Sequence, residues 1–319
     1  MKFLLLASLA LSACGRKTPV QACADFANAR CNKLDACSNG NGVARTYGSM
    51  NDCLNRISSR CMTALAADNT SLTSDFEEAC GTQIGAQSCG EFRAGIVAPG
   101  CLPPAGKLSK GSPCVSDAQC GSTVCRKPST SECGVCADQP VDGDSCVGAA
   151  DCGRQLACVG GTTCHVAGQT GAGCDPGHPC AGGFACVTAD ANSSNGLCQI
   201  VAESGGTCDP HAVGEPLCDN LAGLFCNPQI RQCAAAAMVA PDGVCAPSAG
   251  GICTQGSECQ SQSSVGAGAD RLCIAPSPEG AACDTVNGPP CKALARCVLT
   301  KAGGTQGICA VPTLTACGP

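Results

Sequence analysis

Apolar and polar positions are spaced differently in the two parts of this chain. From residue 19 to about 105, apolar positions recur at intervals of three and four, the spacing of helices with one buried face. Cys23, Phe26, Ala27, Cys31, Leu34 and Cys37 form the first stripe. Thr18-Pro19 supplies an N-cap and a proline at the first helical position, and Asn39-Gly40-Asn41-Gly42 ends the helix with turn residues. A second helix begins at Ser49, with Asp52 as its capping-box partner, and carries Met50, Cys53, Leu54, Ile57, Cys61 and Leu65. A third starts near Ser74, with Glu77 in the same relation, and carries Phe76 and Cys80. Residues 94–110, rich in Pro and Gly, mark a boundary. Beyond it the helical periodicity stops, and the recurring feature is cysteine.

The first two helices each contain a pair of cysteines eight residues apart, Cys23/Cys31 and Cys53/Cys61. Eight residues are about 12 Å of helix, farther than a disulfide reaches between Cα atoms. Neither pair can close on itself. Each pair lies on roughly one face, so two antiparallel helices bring Cys31 to Cys53 and Cys23 to Cys61. This hairpin resembles twin-cysteine helical hairpins such as the CHCH proteins, whose spacings differ, and no function is carried over. Spacing does not order Cys37, Cys80, Cys89 and Cys101; Cys37–Cys80 with Cys89–Cys101 is the preferred expectation.

From residue 106 the cysteines fall into about six groups of four, opening at Cys114, Cys146, Cys174, Cys208, Cys245 and Cys283. Repeats of this period indicate an array of small units. The modules start near Gly111, Gly143, Gly171, Gly205, Gly243 and Gly280. In five of them the glycine stands three residues before the first cysteine; Gly243 stands two before. Asp142, Asp242 and Glu279 precede the glycine in three copies, which is turn chemistry. The first module reads Cys114, Cys120, Cys125 and Cys133, with Cys136 extra and expected to join Cys317 or a neighbouring module. Four cysteines allow three pairings, of which first-to-third with second-to-fourth is preferred. The interval before the last cysteine varies, with six residues between Cys226 and Cys233 and thirteen between Cys259 and Cys273, and so reads as a loop. The spacing G-x-x-C-x5-C-x4-C over about 106–310 resembles bacterial lipoproteins that carry a Dickkopf N-terminal cysteine-rich domain. The signalling role of the animal Dickkopf proteins is not carried over.

Composition explains why cysteine dominates. The chain has 35 Cys, 41 Gly and 20 Pro among 319 residues, with no Trp, one Tyr and six Phe. Side chains able to build ordinary cores are scarce, and cysteine at this density reads as a disulfide scaffold of an oxidising compartment. The fold class expected is small and disulfide-rich: a disulfide-bolted α-helical domain over 19–105, then over 106–319 an array of short cysteine-rich, loop and β-hairpin modules extending from it. A net charge of −6 argues against nucleic acid as a partner.

The N-terminus supplies an address. Met1-Lys2 is followed by the apolar run Phe3 to Leu11, nine residues and too short to span a bilayer, which needs about 20. Leu11-Ser12-Ala13-Cys14 stands directly behind it. This resembles the lipobox of bacterial lipoproteins, which implies cleavage after Ala13, acylation of Cys14 and membrane attachment through it, with residues 14–18 as a tether. Gly15, in place of an aspartate, implies the outer membrane by the same resemblance. Setting Cys14 aside leaves 34 cysteines, an even number as full pairing requires.

Candidate chemistry is sparse. Cys133-Gly134-Val135-Cys136 is the one C-x-x-C, but no strand–helix alternation surrounds it as a thioredoxin-type site requires. His165, His178 and His211 are scattered in loops, without the clustering a zinc site needs. Asp142-Gly143-Asp144 is too small a carboxylate set for a calcium loop and reads as a turn. No cofactor and no metal are expected, and catalytic residues are not assigned. These features point to an exported, lipid-anchored structural or binding protein of the bacterial envelope, without catalysis, with a protein partner at the cell surface. The competing class is a thiol-based redox or metal-binding envelope protein.

Overall fold

A computed structural model describes residues 16–146, 152, 156–159, 163–246, 250–261, 271–311, 313, 314 and 317. The signal segment and Cys14 lie outside the described residues. Five helices come first: α1 (Pro19–Ala36), α2 (Asn41–Thr46), α3 (Met50–Ala66), α4 (Ser74–Ala86) and α5 (Cys89–Arg93). Their starts follow the caps in the sequence. Thr18 accepts from the backbone of Gln21 in a capping box, and Ser49 accepts from Asp52. For α4 the cap is Thr73, one residue before Ser74. The pattern did not announce α2 and α5. The Asn39–Gly42 turn, with Asn39 and Gly40 at positive φ, starts α2 at once, and Ser88 with Glu91 caps α5.

Helix α1 packs against α3 and α4. The α1–α3 pair is antiparallel and joined by Cys23–Cys61 and Cys31–Cys53, the two bonds expected of an antiparallel pair. The other two bonds are Cys37–Cys89 and Cys80–Cys101, which corrects the expected Cys37–Cys80 and Cys89–Cys101. Helices α1 and α4 run side by side in the same direction: Gly81 faces Phe26 and Ala29, and Lys33 reaches the carbonyls of Gly85 and Gln87. Cys80 is therefore level with the middle of α1. About eleven residues of helix, roughly 16 Å, separate it from Cys37. Cys37 is level with Cys89, just beyond the end of α4, and the chain returns at Cys101 to meet Cys80.

The rest of the described chain is a set of small modules of short strands and paired disulfides. Among the described residues there are 17 disulfides, and the chain has 34 cysteines besides Cys14. Each module bonds its first cysteine to its third and its second to its fourth: Cys146–Cys158 and Cys152–Cys164, for example, or Cys283–Cys297 and Cys291–Cys309. The third and fourth cysteines face one another across an antiparallel hairpin, as Cys186 faces Cys198 in the pair Phe184–Thr188 and Gly196–Ile200. The residue three places before the first cysteine donates its amide to the carbonyl of the fourth. This bond is 2.8 Å from Gly111 to Cys136, Gly143 to Cys164, Gly171 to Cys198, Gly205 to Cys233, Asp242 to Cys273 and Gly280 to Cys309.

That repeated bond settles two features of the pattern. In the fifth module Asp242, not Gly243, takes the structural position, with φ +66° where the other modules place glycine at +78° to +92°. In the first module the fourth cysteine is Cys136, bonded to Cys120, with Cys114 bonded to Cys125. Cys133 is the extra cysteine and pairs with Cys317, correcting the expectation that Cys136 did so.

The array does not extend away from the helices. It curls around them, and its last module meets its first. Arg296 donates to the carbonyls of Lys127 and Pro128, the amide of Leu299 donates to Ser129 O at 2.7 Å, and Cys133–Cys317 closes the circuit. Leu294 of the sixth module packs into the helical core beside Phe26, Leu34 and Tyr47. No helix among the described residues is long and apolar enough to cross a membrane.

Candidate functional site

The seam where modules press on helices gathers several polar contacts. Short α2 meets the modules with the side chains of Asn41 and Arg45 and with the backbone carbonyls of its last turn. Asn41 Nδ2 donates to Ala222 O at 2.9 Å, Arg45 donates to Asn220 O, and the amide of Gln255 donates to Ala44 O at 2.8 Å. Arg93, at the end of α5, joins three parts of the molecule. Its Nε donates to Cys37 O at 2.8 Å, and its Nη1 lies 2.6 Å from Asp219 Oδ2 of the fourth module. The carbonyl of Arg93 also sits so close to Gly182 of the third module that a Cβ there would lie 2.5 Å from it. Asp219 is only 3% exposed, so this ion pair is desolvated and structural.

Between α2 and the fourth to sixth modules lies a cleft of about 330 Å³, lined by Arg45, Thr46, Ser257, Glu258, Pro290 and Ala293. Arg45 Nε and Ser257 Oγ are buried there without hydrogen-bond partners among the described residues. Burial lowers the Arg45 pKa from its ordinary value, and the Asp219 charge counters this. One cation, two hydroxyls and one carboxylate suit a small polar group; no nucleophile–base pair is present among these residues.

A second feature is electrostatic. Arg30 of α1, Arg60 of α3 and Lys127 of the first module have no carboxylate within ion-pair distance among the described residues. Burial pushes the Lys127 pKa down to about 8, reinforced by repulsion from Arg60 and Arg296 and opposed by the Asp117 charge. Burial also raises the Tyr47 hydroxyl, against the pull of Arg30, Arg60 and Arg56, so Tyr47 remains a neutral donor. The chain as a whole carries −6, so this cationic zone runs against the average charge.

The residues singled out in the sequence fall as follows. Cys14 lies outside the described residues. Cys133 and Cys136 do not bond each other; each joins a distant cysteine, and the C-x-x-C spacing is incidental. In five of the modules three sulfurs crowd together, as Cys114, Cys120 and Cys136 do within 4.8 Å, but each is spent in a disulfide and offers no thiolate to a metal. Asp142 and Asp144 turn to local partners: Asp144 accepts from Val141 N at 2.8 Å, and Asp142 accepts from Val166 N at 3.2 Å. The loop of the first module holds Cys133, which bonds Cys317, and the tip of the fifth lies outside the described residues. His165 and His178, thirteen residues apart in sequence, meet at a ring-centroid distance of 4.9 Å; His211 stands elsewhere. Nothing in the spacing announced that meeting, because the two residues belong to different modules. Comparison with protein families, curated proteins and solved structures finds no match to this chain.

Proposed function

We propose that this chain is an exported, lipid-anchored binding or structural protein of the bacterial cell envelope, held at the membrane by Cys14 and presenting a ring of disulfide modules without a reaction of its own. The observation that carries the proposal is that the described cysteines are all bonded and that these bonds form the module interiors. Such a chain needs an oxidising compartment to fold. The apolar run Phe3 to Leu11 and the Leu11-Ser12-Ala13-Cys14 step supply the route there and the anchor. Two acyl chains or more make attachment stable where one is marginal. The seam cleft and the cationic zone around Arg60 and Lys127 are the surfaces on which a partner would act.

Cys14→Ala tests the anchor. The variant is expected in the soluble fraction while the parent sediments with membranes; sedimentation of both refutes the lipoprotein reading. Cross-linking on intact cells then tests the binding reading, with a discrete cross-linked species expected from the parent chain.

A further inference from the structure

Two of the three histidines meet where the second module joins the third. His165 lies on the strand Thr163–Val166, beside Cys164, and His178 lies on the turn before Cys180. Their ring centroids are 4.9 Å apart, with the planes inclined by 49°. Each ring is oriented by a carboxylate. His165 Nδ1 is 3.1 Å from Asp142 Oδ1, and His178 Nδ1 is 3.1 Å from both oxygens of Asp175.

The carboxylates are themselves fixed by backbone donors. Asp142 Oδ1 also accepts from Val166 N at 3.2 Å, while Asp175 Oδ1 accepts from Gly177 N at 2.6 Å and His178 N at 2.8 Å. An ionised carboxylate only accepts, so in each neutral ring Nδ1 carries the proton and Nε2 keeps its lone pair. Neither Nε2 has a hydrogen-bond partner among the described residues. Carboxylate, then Nδ1–H, then a free Nε2 is the arrangement that prepares histidines to bind metal. The His178 side chain is 60% exposed, which leaves room for water in the remaining coordination positions.

We propose that His165 and His178 form a site for a divalent transition metal at the joint between the second and third modules, with Asp142 and Asp175 as positioning residues. Imidazole nitrogen selects zinc, copper or nickel over calcium and magnesium, which take oxygen ligands. Among the divalent ions Cu²⁺ binds such ligands most tightly. A metal there would pin two modules whose disulfides are otherwise separate. The site uses neither the membrane anchor nor the seam, so it stands or falls apart from the proposed function.

The test is a Cu²⁺ titration of the full mature chain with its disulfides intact, followed by electron paramagnetic resonance. Saturation at one ion per chain, with nitrogen hyperfine splitting, is expected. His165→Gln and His178→Gln should each weaken binding at least tenfold, Asp142→Asn and Asp175→Asn by about tenfold, and His211→Gln not at all. Alkylation under denaturing, non-reducing conditions checks that each variant keeps its disulfides. Should a variant fail that check, the parent chain serves: Cu²⁺ is expected to protect His165 and His178, but not His211, from diethylpyrocarbonate. No saturable binding, unchanged binding by the folded H165Q/H178Q chain, or no selective protection would each overturn the proposal.

Discussion

In the helical domain Cys31 and Cys53 lie among Ala27, Val43 and Ile57, with Phe26, Leu34 and Leu54 packed around them. In the first module the buried cluster is Cys114, Cys120, Cys125 and Cys136, with only Leu108 packed against it. The same bond therefore plays two parts. Among the helices it fastens elements that already bury an apolar stripe. In the modules it is the interior, and the two short loops it closes restrict the unfolded chain that a unit of this size could not otherwise overcome. A disulfide's contribution thus depends on what else its surroundings bury.

The comparison can be broken at several points. The largest effect is expected from replacing Cys114, Cys120, Cys125 and Cys136 with Ala. Two disulfides at about 3 kcal/mol each are lost, so hydrogen exchange should show the first module without protection. The double variant Cys31→Ala/Cys53→Ala should keep its helical circular dichroism, because the apolar stripe survives. Equal loss of structure in both variants would remove the distinction.

Next comes the joint between the two regions. Arg93→Ala takes from the nearly buried Asp219 its ion-pair partner and leaves only the more distant Arg45, at a cost of about 3 kcal/mol. Thermal unfolding should show this, and the Arg93→Ala/Asp219→Ala chain should recover part of it.

Glu77 sharpens the contrast from inside the helical domain. It is 5% exposed on α4, and burial raises its pKa from 4.5 to about 7. Folding thus favours the protonated acid. Its contribution is full below pH 4.5 and is lost as pH rises through about 7, at a cost of about 3 kcal/mol. Glu77→Gln should raise the melting temperature at pH 8 and leave it unchanged at pH 4. A pH-independent difference would show that the carboxyl is solvated.

The smallest effect concerns the module turn. Gly171→Ala, at φ +79°, should cost about 1 kcal/mol, whereas Asp242→Gly, at φ +66°, should be neutral or stabilising by less than that. Denaturant midpoints measure both. A Cβ at Gly171 meets nothing within 4 Å, so the difference isolates backbone conformation from crowding.

Much of this architecture was legible from residues alone. The caps at Thr18 and Ser49, the bonds Cys23–Cys61 and Cys31–Cys53, and the six-module frame follow from helix rise and turn chemistry, which act over a few residues. The sequence also supplied the candidate anchor at Cys14. It gave no ground for preferring Cys89 over Cys80 as the partner of Cys37, since that choice depends on α1 and α4 running in the same direction. Nor did it separate Cys133 from Cys136, two residues of similar spacing, until the bond from Gly111 N to Cys136 O distinguished them.

The features legible in the residues are therefore local: where helices start, which cysteines cannot pair, and where each module turns. Packing between distant elements sets the rest: the array closes on itself through Cys133–Cys317, across 184 residues, Arg93 meets Asp219, and His165 faces His178. Periodicity and spacing record the geometry of single elements. The docking of one element on another is set by shape and charge brought together from distant parts of the chain.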